Sequence, residues 1–148
     1  MSHTYTNLLT HFVFSTKDRL PLITGEMKSE LYPYLGGLTK DLKGKSLAIN
    51  GIEDHVHLLV SLPPTVSTSD AMQYIKANSS KWAGEKFDNR FAWQIGYGAF
   101  SVSRSNVDTV VKYIKNQEEH HKTSDFREEF LKLLRSHEVE FDEKYLWK

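Results

Sequence analysis

Gly51-Ile-Glu-Asp-His-Val-His-Leu-Leu-Val-Ser-Leu62 is the stretch on which the reading of this chain turns. A strand points successive side chains to opposite faces, so Val56, Leu58, Val60 and Leu62 share one face and His55, His57, Leu59 and Ser61 share the other. The apolar face reads as core. The two imidazoles then stand side by side on the opposite surface, spaced so that both rings can reach a single metal ion. Alone, a His-x-His on a strand is more often a surface or hydrogen-bonded pair, so its meaning depends on what the rest of the chain brings to it.

Outward from this stretch, residues 46–52 form a second strand, and the Glu53-Asp54 pair between the two predicts a hairpin that Pro63-Pro64 closes. Residues 5–15 read as a strand with Leu8, Phe12 and Phe14 on one face. A helix over 24–43 follows from Met27, Leu31, Tyr34, Leu35, Leu38 and Leu42 behind a Thr24 cap, with Pro33 and Gly36-Gly37 placed to bend or shorten it. Residues 68–86 predict a helix on Met72, Ile75, Ser79, Trp82 and Ala83, capped by Thr68, Ser69 or Asp70. A strand over 92–102, a helix from a Ser105 cap to about His121 and a helix over 123–136 complete the pattern. Strand, helix, strand, strand, helix, strand is the order of an α+β, ferredoxin-like split βαβ fold: an antiparallel sheet with both connecting helices on one face. The histidine face is then left for an appended helix or a second subunit to cover.

The chain has 148 residues, which predicts one domain spanning 1–148 with enough core to fold unaided. Its 39% hydrophobic and 26% charged residues suit a soluble protein, and no segment approaches the length of a membrane span. The N-terminus lacks the pattern of a secretory signal. The absence of cysteine removes disulfides and thiolate ligands and is compatible with a cytoplasmic location. Nineteen basic residues balance nineteen acidic ones, so net charge gives no sign of a nucleic-acid partner; only local stretches such as Lys40–Lys45 and Lys76–Lys86 lean basic.

Tyr113 and Gln117 lie four apart, so phenol and carboxamide project from one helix face. A carboxamide oxygen suits Mg²⁺ or Mn²⁺, and two imidazoles tilt the preference toward Mn²⁺. A tyrosine beside such a cation is a candidate nucleophile. Three segments, Asp54-His-Val-His-Leu-Leu59, Gly96-Tyr-Gly-Ala-Phe-Ser-Val-Ser103 and Tyr113-Ile-Lys-Asn-Gln-Glu-Glu-His-His121, resemble the insertion-sequence transposases of the HUH superfamily, which use one tyrosine and act on single-stranded DNA. The segments occur in the family's order, and the likeness runs across nearly the whole chain.

The resemblance implies that His55, His57 and Gln117 hold a divalent metal, Mg²⁺ or Mn²⁺, and that Tyr113 attacks a DNA phosphate to give a 5′-phosphotyrosine and a free 3′-hydroxyl. It also implies a homodimer, in which the tyrosine helix can complete the partner's site, and DNA hairpins at the ends of a mobile element as substrate. Charge and position suggest phosphate contacts at Lys17, Arg19, Lys76 and Lys81. His120 and His121 read as structural or solvent-facing, because adjacent helix residues diverge. Glu118 and Glu119 read as a solvated face, with Glu118 a candidate to orient a ligand. Competing readings are a domesticated relative that processes repeat hairpins, a non-catalytic DNA-binding module and a metal-dependent hydrolase that uses water.

Overall fold

A computed structural model describes residues 3–148. Four strands, β1 (Leu8–Ser15), β2 (Lys45–Ile52), β3 (His55–Leu62) and β4 (Gly98–Ser101), form one sheet in the order β2-β3-β1-β4, with every pairing antiparallel. Between them run α1 (Gly25–Asp41) and α2 (Thr68–Lys86), which gives the expected ferredoxin-like arrangement. The helices α3 (Val107–Lys115), α4 (Gln117–His120), α5 (Phe126–Ser136) and α6 (Glu143–Leu146) follow the last strand.

Alternation along β1 and β3 builds two cores. Phe12, Phe14, Val56, Leu58, Val60 and Leu62 pack against Met27, Leu31 and Leu35 of α1 and Met72 and Ile75 of α2. On the other face, Leu9 and Leu59 meet Val107 and Ile114, while Val13 and Phe100 meet Phe126, Phe130 and Leu134. The appended helices therefore cover the histidine face, and His55 and His57 are both buried.

The helix boundaries follow local chemistry. Thr24 Oγ1 accepts from Met27 N at 3.2 Å, and α1 runs on through Pro33, which lies on the exposed side of the helix. Ser67, one residue before the expected caps, opens α2 by accepting from Asp70 N at 3.1 Å.

The strand expected from residue 5 begins at Leu8, and two further elements depart more from expectation. The strand expected over 92–102 is reduced to Gly98–Ser101 and one bridge between Thr16 and Trp93. Lys76 Nζ donates to the carbonyls of Gln94, Ile95 and Gly96 at 2.7, 3.1 and 2.7 Å, which turns three acceptors away from any strand partner. The helix expected over 105–121 breaks at Asn116. There Asn50 Nδ2 donates to the carbonyls of Ile114 and Lys115 at 3.0 and 3.1 Å and ties the end of α3 to β2.

The β2–β3 hairpin is closed so tightly that a Cβ on Gly51 would lie 2.1 Å from the His55 carbonyl oxygen. Backbone cannot yield there. Gly51→Ala is expected to destabilise the fold by about 1–3 kcal/mol or more. Gly84→Ala, within α2 and with open space around its Cβ, should instead stabilise it by about 0.5–1 kcal/mol. Urea denaturation midpoints of the two variants check both signs.

Candidate active site

β3 presents His55 and His57 to the helical layer, and each ring is oriented from behind. His55 Nδ1–H donates to Asp54 Oδ1 at 2.7 Å, and His57 Nδ1 lies 2.8 Å from His11 Nε2 on β1. The Nε2 atoms point forward. His55 Nε2 is 3.0 Å from Gln117 Oε1 and 3.2 Å from Glu129 Oε1, and His57 Nε2 is 3.0 Å from Glu129 Oε1. His121 Nε2 lies 3.0 Å from both Gln117 Oε1 and Glu129 Oε1. The second carboxylate oxygen, Glu129 Oε2, accepts from Tyr113 Oη and, at 3.0 Å, from Gln117 Nε2.

The geometry brings together Tyr113, His55, His57 and Gln117. It adds three residues that the sequence did not single out for this place: Glu129, His121 and His11. His121 was expected among the structural or solvent-facing residues, yet the break at Asn116 turns it inward, where its side chain is buried. Its neighbour His120 stays outside the group, with Nε2 3.4 Å from Glu129 Oε2. Glu118 pairs with Lys28 rather than with a site residue. Glu129 left a trace in the sequence: it follows Phe126 by three and precedes Leu133 by four, placing a carboxylate on the apolar stripe of α5.

Among the described residues, the ligand atoms of His55, His57, His121 and Glu129 all lie within 4.8 Å of one another. Donor chemistry shows that the set fits a cation. Nδ1–H of His55 goes to Asp54 and Nδ1–H of His121 goes to the Ser124 carbonyl at 2.7 Å, so each neutral ring turns the Nε2 lone pair toward oxygens that are themselves acceptors. Only protons or a metal ion can bridge such a convergence. The backing by Asp54 and His11 is the outer support that metal-bound imidazoles ordinarily have.

Burial and charge divide the titrating groups. Burial opposes the charge on Glu129, but hydrogen bonds from His121, His55 and His57 outweigh it and hold the carboxyl far below its ordinary range. Burial likewise opposes charging His55, and its bonds to Asp54 and Glu129 overcome it, raising the ring to about 9. For His57 burial wins over the pull of Glu129, which leaves it at about 4. Burial, reinforced by His57, lowers His11 to about 3. Burial, with the charge of Glu129 and its hydrogen bond, pushes the Tyr113 phenol above its usual value, so it rests protonated.

A cleft of about 400 Å³ opens on Tyr113 and Glu129 and is lined by His120, Ser124, Lys132 and Ser136. The basic residues suggested for phosphate contact lie elsewhere. Lys17 and Lys81 are exposed, Arg19 sits over the Trp147 ring at 5.4 Å, and Lys76 directs all three of its N–H groups to backbone carbonyls.

A ferredoxin-like sheet with a His-x-His pair on an inner strand, faced by a tyrosine on an appended helix, defines an HUH transposase of the single-tyrosine class. The chain belongs to the IS200-like transposase family, whose pattern it matches over residues 4–117. It is 32% identical over 129 residues to the transposase for insertion sequence element IS200 of Salmonella typhimurium, covering 82% of this chain and 84% of that protein. It is 25% identical over 114 residues to the ISDra2 transposase TnpA of Deinococcus radiodurans, covering 72% of this chain and 81% of that one. Its fold is similar to that of a REP-associated tyrosine transposase solved bound to a REP hairpin, with a TM-score of 0.62 and 17% identity over 82% of this chain and 73% of that chain. Among the described residues no helix is long and apolar enough to cross a membrane.

Stripped of metal by a chelator, the protein should be most stable near pH 6.5, the ordinary histidine value. His57 and His11 have lowered values, so what they contribute is present above 6.5 and lost as pH falls through about 4 and 3. His55 has a raised value, so its contribution is present below 6.5 and lost as pH rises through about 9. Urea midpoints across this range check the two-sided decline, and His57→Asn should make the acid side shallower, leaving the part that His11 and Glu129 contribute.

Proposed function

We propose that this transposase cleaves and rejoins single-stranded DNA at the ends of an insertion sequence through a 5′-phosphotyrosine on Tyr113. His55, His57 and Gln117 would hold Mg²⁺ or Mn²⁺, and residues 1–148 would act as one HUH domain. The observation that carries the reading is the convergence of imidazole Nε2 atoms and the Gln117 carboxamide oxygen beside a tyrosine hydroxyl at the mouth of a cleft. A bound divalent ion supplies charge stabilisation to the scissile phosphate as negative charge builds on its oxygens.

The rest falls to the chain's own groups. Tyr113 Oη gives up its proton and forms the new bond to phosphorus while the bond to the 3′-oxygen breaks, and that oxygen takes up one proton to leave as a hydroxyl, so the exchange consumes no net proton. The hydrogen bond to Glu129 Oε2 fixes where the phenolic proton points and leaves an oxygen lone pair free for phosphorus. Because one phosphodiester replaces another, the bond energy is retained and a 3′-hydroxyl of a second strand can reverse the step. The chain needs no nucleotide cofactor for this chemistry.

Hairpin-bearing single strands are the proposed substrate, in line with the REP hairpin on which a protein of similar fold was solved. The 32% identity to an IS200 transposase favours an insertion-sequence end over a dispersed repeat. We further propose a homodimer. The proximity of Tyr113 to the His57 ring of its own chain supports a cis site, and exchange between subunits would give a trans one. Lys17, Arg19 and Lys81 remain the proposed phosphate contacts, with Lys76 joining them only if it releases its carbonyls.

Tyr113→Phe should abolish the covalent adduct with labelled single-stranded DNA from the gene's flanks, by at least about 10⁴-fold for loss of the nucleophile, while leaving DNA binding intact. His57→Ala should lose the adduct together with its metal dependence. Denaturing gels read both. An adduct persisting in Tyr113→Phe would sink the assignment, strand cleavage without adduct in the wild type would favour the water-using hydrolase, and binding without cleavage would favour the non-catalytic module.

A further inference from the structure

The region matched by the family ends at residue 117, yet the group at the centre of the site comes from twelve residues beyond it. Glu129 is 2% exposed, and its two oxygens have different neighbours. Among the described residues, Oε1 faces only ring nitrogens: His57 and His121 at 3.0 Å and His55 at 3.2 Å. Oε2 faces the nucleophile and the Gln117 amide.

Resting on the reading that this cluster holds a divalent cation, we propose that Glu129 is a ligand of that cation through Oε1 and holds Tyr113 through Oε2. Geometry carries the first half. An octahedral ion with bonds of about 2.1 Å places neighbouring donors about 3.0 Å apart. The separations of Oε1 from the His57, His121 and His55 nitrogens, and of Gln117 Oε1 from the His55 and His121 nitrogens, are 3.0–3.2 Å. These five separations match the edge length of such an octahedron.

The carboxylate also supplies what the neutral histidines and carboxamide lack, a negative charge for a hard divalent ion. Its second oxygen does two further things. Accepting from Gln117 Nε2 fixes the amide so that Gln117 Oε1, not nitrogen, faces the ring nitrogens. Accepting from Tyr113 Oη fixes the attacking atom one carboxylate away from the ion. One side chain thus sets both the charge of the metal site and the distance between metal and nucleophile. Helix α5 becomes part of the active site of the chain that carries it.

Mn²⁺ titration of the full-length protein without DNA, by calorimetry, tests the ligand role directly. Glu129→Gln should bind Mn²⁺ at least about tenfold more weakly than wild type, and Glu129→Asp should fall between them. Crystals grown with Mn²⁺ need no variant, and should show an anomalous peak within bonding distance of Glu129 Oε1. For the positioning role, Glu129→Gln saturated with Mn²⁺ should lose adduct-forming rate at unchanged DNA affinity. Equal Mn²⁺ affinity in wild type and Glu129→Gln, a peak bound to the histidines but not to Glu129, or no Mn²⁺ binding at all overturns the proposal. If wild type makes no DNA adduct while Glu129→Gln weakens Mn²⁺, the strand-transfer reading falls and the ligand assignment stands. If wild type makes the adduct and Glu129→Gln binds Mn²⁺ unchanged, only the ligand assignment falls.

Discussion

Burial of two imidazoles on the inner strand β3 is the constraint around which this molecule is organised. A polar ring taken out of water costs free energy unless its nitrogens find partners, and His55 and His57 are both fully buried. Their rear nitrogens are satisfied within the sheet, by Asp54 at the hairpin and His11 on β1. Their forward nitrogens have no sheet partner available. Helices α3, α4 and α5 must therefore do more than cover apolar surface: they bring Gln117, His121 and Glu129 to the same point.

The two sides of the sheet share their duties unequally. The α1 and α2 side is an apolar core with few buried polar groups, such as the Ser79–Trp93 hydrogen bond, and it fixes the register of β1 and β3. The opposite side mixes aliphatic contacts from Leu9, Leu59, Val107 and Ile114 with the polar cluster. Rigidity made on the first side is used on the second, where the cluster's donor atoms depend on backbone that cannot shift. Asn50 extends that rigidity outward, tying the end of the tyrosine helix to β2 in register with His57.

Much of this was legible because strand alternation and helical spacing are local. The face assignments along β3, the hairpin at Glu53-Asp54 and helices α1, α2 and α5 follow from side-chain periods of two and 3.6. The shortened strand before Gly98 and the break at Asn116 were not legible. Both arise from side chains reaching across sequence, Lys76 to the carbonyls of residues 94–96 and Asn50 to those of residues 114 and 115. Period analysis contains no such long-range hydrogen bonds.

The sequence by itself determined the ferredoxin-like order of elements, the His55 and His57 pair on one face of a strand, and a tyrosine and glutamine four residues apart in the helical segment after the last strand. Tertiary structure decided what surrounds them. Glu129 lies 72 residues from His57, in the first turn of a helix where an acidic residue is ordinarily explained by the helix dipole. Its apolar-stripe position hinted at burial but could not say against what. Only the packing of α5 over the sheet brings that carboxylate to the Nε2 atoms of three imidazoles and makes it the hydrogen-bond acceptor of Tyr113. The reason is physical: periodicity reports which face a residue occupies, whereas a site is a meeting of faces from separate elements.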